Sequence, residues 1–146
     1  MTESRLQPPS GGDDPPRVSS PLAGGDVLDL FSLATVICER YRLEYPDEQE
    51  RYGDAGIAWC VHDNQHILNW ATGSVNGDID IRPEIAWLAI VLHARDFPID
   101  RLARDLDIAA AVVSEQVSGP GAGQLAAVLT TTAEFVRSGE FWTYSV

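Results

Sequence analysis

Apolar residues recur at three- and four-residue spacings through most of this chain, the signature of amphipathic helices. The first such segment, "DVLDLFSLATVICERYR", sets Val27, Leu30, Phe31, Ala34, Ile37, Cys38 and Tyr41 on one stripe. Asp26 fits its N-cap, and Asp29 lies near the positive helix end. Pro46 and the acids after it open a second helix, from about residue 46 to about residue 72, where "TGSVNGD" stops it. The third, "RPEIAWLAIVLHARD", is apolar on most of its circumference and reads as central and most buried. Phe97-Pro98 ends it and starts a fourth, with Ile99, Leu102, Ala103, Leu106, Ala110, Val113 and Val117 inward. Asp100–Arg104 and Arg101–Asp105 read as i,i+4 pairs on its outer face. After "SGPGAG", a fifth helix turns Leu125, Val128, Leu129, Thr132, Phe135 and Val136 inward, and Trp142 and Tyr144 are expected to pack back. Strand-like alternation goes no further than "GSVNGDIDI". Short connections favour antiparallel neighbours, so the expected fold is an all-α antiparallel bundle of four to five helices.

The head of the chain breaks this pattern. Residues 1–25 are Pro, Gly, Ser and Asp with few large apolar side chains, too little to offset ordering entropy. They read as a disordered tail ahead of a bundle domain over residues 26–146. Deleting residues 1–24 is then expected to leave thermal stability nearly unchanged.

Charge narrows the function classes. The chain has 146 residues and a formal charge of −12. Its ten basic residues are all Arg, which removes a Schiff-base lysine and a Walker-type phosphate lysine. The acidic balance disfavours nucleic acid and anionic membrane surfaces. No run reaches the ~18 apolar residues of a membrane span. Cys38 and Cys60 sit inside apolar runs without a CxxC spacing and read as buried free thiols of a reducing compartment. Together these point to a soluble, cytoplasmic protein.

Candidate chemistry concentrates in "WCVHDNQHILNW", residues 59–70. On a helical wheel Asp63 falls between Trp59 and Trp70 on the apolar face, with Asn64 in the same arc and His66 at its edge. An unpaired carboxylate there costs several kcal/mol, so an Arg partner is expected from Arg40, Arg42 or Arg95. Alternatively this seam lines a small-ligand pocket flanked by aromatics. His62 and His66 are one helical turn apart and able to share an ion. His93 is brought level with them by an antiparallel hairpin, so the rival reading is a zinc-type three-histidine enzyme. A minor alternative is a helix-turn-helix DNA reader in "DRLARDLDIAAAVVSEQV". There the turn position is Asp107, and "AAAVVSEQ" offers no Arg or Lys to bases or phosphates.

The stretch "RYGDAGIAWCVHDNQHILNWA … EIAWLAIVLHARDFPIDRLARDLDIAAAVV" resembles actinobacterial helical domains of uncharacterised type. It is also distantly similar to helical modules found beside cobalamin-binding domains in bacterial sensor proteins. The likeness covers about residues 26–138 and rests on helix order and the phrases "RYG", "AW" and "ARDFP". Trp87 is followed by His93 too soon and without Glu, and no DxHxxG motif occurs, so no cofactor is expected. The resemblance implies a small regulatory or ligand-sensing bundle. The lack of catalytic motifs and the stock of aromatic and aliphatic helix faces point to a non-enzymatic regulatory or adaptor module with a protein partner or second copy.

Overall fold

The computed structural model describes residues 7–11, 15–25 and 27–144, so the expected cap Asp26 lies outside the described residues. Five helices pack together: α1 Leu30–Glu44, α2 Glu48–Val75, α3 Ile81–Ala94, α4 Ile99–Gln116 and α5 Ala122–Ser138. A hairpin of β1 Ser19–Pro21 and β2 Val27–Asp29 precedes them, and a 3₁₀ turn, Glu140–Thr143, follows. The protein is thus an all-α bundle with a small hairpin.

Asp29 caps α1. Its carboxylate accepts from the Ser32 backbone N–H at 2.9 Å and from the Ser32 hydroxyl at 2.8 Å, satisfying an otherwise orphaned helix donor. The helix starts later than the periodicity suggested because Val27 and Leu28 belong to β2. The inward stripe of α1 is as expected except that Leu33 replaces Phe31, which is exposed.

The described part of the head is not a tail. Ser19 pairs with Asp29, Ser20 with Leu28 and Pro21 with Val27. Leu22 is 2 % exposed. Gln65 Nε2 donates to the Arg17 carbonyl at 2.9 Å, and the Asn76 amide bonds to both Ala23 N–H and the Pro21 carbonyl. Ser10 donates through its backbone N–H to the buried Glu84 at 3.0 Å. The hairpin end rests on the α4–α5 loop, where Gly121 has φ 92° and an added Cβ would stand 3.0 Å from the Ala23 carbonyl. Composition concealed this because polar side chains docking by backbone hydrogen bonds leave no apolar period.

The centre of the bundle is α4, which packs on α1, α3 and α5, and not the third helix as its hydropathy suggested. The far end of α3 is peripheral: His93, Ala94 and Arg95 are exposed. Helix α2 is interrupted at Gly53, with φ 64° and ψ −160°, a conformation costly for any residue with a Cβ. Arg42 holds the break, donating to the Gly53 carbonyl at 3.0 Å and to Gln49 Oε1 at 2.9 Å. Phe141 anchors the C-terminal turn at 2 % exposure, and Tyr144 packs edge-on against Phe135, but Trp142 is half-exposed.

Candidate functional site

Beyond the Gly53 break, α2 faces a cavity of about 480 Å³ that opens between α2, α3 and α4. Small residues make room for it. Ala55 is exposed at its edge, and a Cβ on Gly56 would lie 2.6 Å from both Arg42 and the Tyr52 Cβ. The walls are apolar: Ile67 from α2, Leu88 and Leu92 from α3, Leu102 from α4. Tyr52, Trp59 and Phe97 supply aromatic faces, with the Tyr52 and Phe97 rings 6.0 Å apart. Arg51 and Arg95 line it as exposed residues, their charges screened by water.

Polar groups converge at the buried side. Glu48 is 4 % exposed and fully engaged: Arg101 donates to its Oε2 at 2.7 Å and the Tyr41 hydroxyl donates to it at 3.0 Å. The second Arg101 nitrogen donates to Asp47 at 2.9 Å, a bond that holds the Asp47 carboxyl below its usual range. The Arg101 guanidinium also lies 4.3 Å over the Tyr45 ring. Burial, then the Glu48 charge, pushes the Tyr41 phenol up.

Asp105 is a buried carboxylate with no cation on it among the described residues. It is 6 % exposed, and among the described residues no Arg or His forms an ion pair with it. Asn64 Nδ2 donates to its Oδ1 at 3.1 Å. Burial pushes the Asp105 carboxyl up to about 7; the Asn64 hydrogen bond opposes the rise and the Asp63 charge adds to it. Asn64 Oδ1 is buried and has no hydrogen-bond partner among the described residues. A protonated Asp105 carries an O–H donor, the kind of group that atom lacks.

Cys38 and Cys60 form a disulfide that ties α1 to α2, with Cα atoms 6.0 Å apart, and this corrects the expectation of two free thiols. No spacing motif announces it; packing of α1 against α2 brings the residues together. Cys60 lines the cavity, whereas Cys38 is 2 % exposed.

The seam expected in residues 59–70 is real but rotated. The buried face of α2 runs through Asn64, Gln65, Ile67, Leu68 and Ala71, while Trp59 is 57 % exposed. Asp63 has a side chain 27 % exposed, lines the cavity and meets His62 Nδ1 at 3.1 Å; the expected Arg pair is absent among the described residues. Arg40 instead pairs with Glu115, and Arg42 holds Gly53. Trp70 is buried with His66 stacked on it, rings 5.8 Å apart. The displacement follows from hydrogen bonding: Asn64 keeps the arc the wheel gave it and meets Asp105, while Gln65, outside that arc, turns inward to the Arg17 carbonyl.

The three histidines do not come together. The His62 and His66 rings are 4.8 Å apart, but His93 packs edge-on against Trp142 at 4.8 Å. Among the described residues no group of three or more His, Cys, Asp or Glu is placed to hold a metal ion. The turn needed for helix-turn-helix at Asp107 lies inside the uninterrupted α4. The i,i+4 pair Arg101–Asp105 is also replaced, because Arg101 reaches across to α2 and Asp105 turns inward. Its place on the stripe of Leu102, Leu106 and Ala109 was the signal for that burial.

Among the described residues no helix is long and apolar enough to cross a membrane. Comparison with protein-family models, curated proteins and solved structures finds no match to this chain.

Proposed function

We propose that this bundle is a non-enzymatic regulatory module that senses a small, mainly apolar amine. The observation that carries the reading is the cavity of about 480 Å³, walled by aliphatic and aromatic side chains with Asp63, Asn64 and Asp105 converging on it. Such a mix of apolar walls and few placed polar groups is the usual make-up of a small-molecule site. An ammonium group suits the polar end. Asp63 is partly exposed and has no Arg on it among the described residues, and the Trp59, Tyr52 and Phe97 faces attract a cation. Glu48 is already occupied by Arg101 and Tyr41, so it contributes shape and not a free charge.

Titration of Trp fluorescence with matched probes tests this. 2-Phenylethylamine should bind roughly ten-fold more tightly than 3-phenylpropionate, and Asp63→Asn should remove most of that preference. Equal binding of both, or tighter binding of the carboxylate, would contradict the amine assignment.

A further inference from the structure

We infer that the Cys38–Cys60 disulfide is a thiol–disulfide exchange site, attacked at Cys60 through the cavity by a small uncharged thiol. The inference is independent of the amine reading and shares only the cavity with it. Its basis is asymmetry. Cys60 is half-buried and lines the cavity, while Cys38 is 2 % exposed against the core. A nucleophile in the cavity therefore meets one sulfur and not the other.

The bond has an N–H donor beside it that faces the charge developing on either sulfur. Asn64 Nδ2 lies 3.5 Å from each sulfur, and the same nitrogen bonds to Asp105 Oδ1 at 3.1 Å. Asp105 therefore shares the N–H that faces both sulfurs, and a neutral Asp105 sets no like charge beside a thiolate there.

A thiolate RS⁻ attacks Cys60 Sγ, and a bond between R's sulfur and Cys60 forms. The Cys38–Cys60 bond breaks and its electron pair leaves on Cys38 Sγ. The Asn64 N–H, 3.5 Å from that sulfur, faces the charge, and the thiolate takes its proton from water. A second RS⁻ then attacks the sulfur of R in the mixed disulfide, releasing RSSR and the Cys60 thiolate, which is protonated from solvent. The protein disulfide gains two electrons, and two RSH are oxidised to RSSR.

The Asp63 charge from α2 acts on Asp105, Asp105 acts on the Tyr41 phenol of α1, and Glu48 of α2 and Arg101 of its own helix line the same cavity. Glu48 and Arg101 neutralise each other, so Asp63 is the charge that acts on Asp105.

Reduction of the folded wild-type protein by dithiothreitol tests the inference. The rate should be first order in dithiothreitol and unaffected by urea below the unfolding transition. In Cys38→Ser, Cys60 should react with the aromatic disulfide 5,5′-dithiobis(2-nitrobenzoate) roughly ten-fold or more faster than Cys38 does in Cys60→Ser. Asp105→Asn should remove an inflection near pH 7 from the wild-type reduction profile, read at pH values where urea unfolding shows wild type and variant equally folded. If either cysteine variant fails to fold, the wild-type urea and pH profiles still decide. A rate that rises with urea along the global unfolding slope, or a pH profile unchanged in Asp105→Asn, overturns the assignment and leaves the bond a structural cross-link.

Discussion

Asn64 on α2 donates a hydrogen bond to Asp105 on α4 at 3.1 Å, and neither residue is more than 6 % exposed. This contact joins the helix that borders the cavity to the helix at the centre of the bundle. It also leaves a carboxyl group buried without a counter-charge. Below its raised pKa the group is neutral and acceptable there; above it, the bundle holds a charge that water would solvate better.

That placement predicts a pH dependence. From the unperturbed value of 3.8 up to about 7, the folded protein keeps a proton on Asp105 that the unfolded chain has released. Stability from this group is therefore fully present at low pH and declines through that window, by at most about 4 kcal/mol. Asp105→Asn preserves an acceptor for Asn64 and cannot ionise. Urea unfolding at about pH 5 and about pH 8 should show the variant gaining on the wild type as pH rises. A difference between the two proteins that does not change with pH would place the ionisation elsewhere.

The ion pair at Glu48 predicts a large single-site effect. Arg101 is 15 % exposed and bonds to a Glu48 side chain that is 6 % exposed. Arg101→Ala strands that carboxylate and should destabilise the fold by ~3–5 kcal/mol. Arg101→Lys should recover part of the loss, because a lysine keeps the charge but not the fork that spans Glu48 and Asp47. Denaturant midpoints of the two variants check both statements.

Asp63 behaves differently from its position on the wheel. With its side chain 27 % exposed and a histidine as its recorded partner, Asp63→Ala should change stability by less than about 1 kcal/mol. The cost of ~3–5 kcal/mol that a buried Asp–Arg pair implies belongs to Arg101 and Glu48 instead. A loss of that larger size at Asp63 would show that its carboxylate is engaged in the fold.

The head gives a fourth test. Removing residues 1–24 takes away β1, the buried Leu22 and the bonds to Gln65 and Asn76. Leu22 alone is worth ~2 kcal/mol by its burial. The truncated protein should melt distinctly lower by calorimetry, the opposite of what the composition of the segment suggests. An unchanged melting temperature would mean that the hairpin contributes nothing to the bundle.

Most of the helical framework was legible, because Leu102, Leu106 and Val113 or Leu125, Leu129 and Val136 repeat at spacings only a buried helix face explains. The site was legible in its membership and not in its wiring. Periodicity places Asp63, Asn64 and Trp59 on one helix, but which of them turns inward depends on partners in other helices. Asn64 goes in because Asp105 is there to receive its N–H, and Asp105 goes in because Arg101 is drawn away to Glu48 and Asp47. Neither move is local, so a wheel drawn on one helix cannot show it. The break at Gly53 changes the helix path without interrupting the apolar pattern. The disulfide and the hairpin were hidden for the same reason: both are contacts between segments whose own residues carry no matching signal.

The central claim is that the cavity bordered by Asn64 and Trp59 takes a small amine. Nitrogen-correlated NMR during titration with 2-phenylethylamine tests it most directly, in the wild type and in Ala55→Trp. Ala55 is exposed at the edge of the cavity, so an indole there fills the space without entering the core. The Asn64 side-chain amide and the Trp59 indole N–H should shift together and saturably at a dissociation constant on the order of millimolar or below in the wild type. In Ala55→Trp the same signals should stay in place. Shifts that persist in Ala55→Trp, or that appear on other faces of the bundle and leave Asn64 unmoved, would contradict the claim.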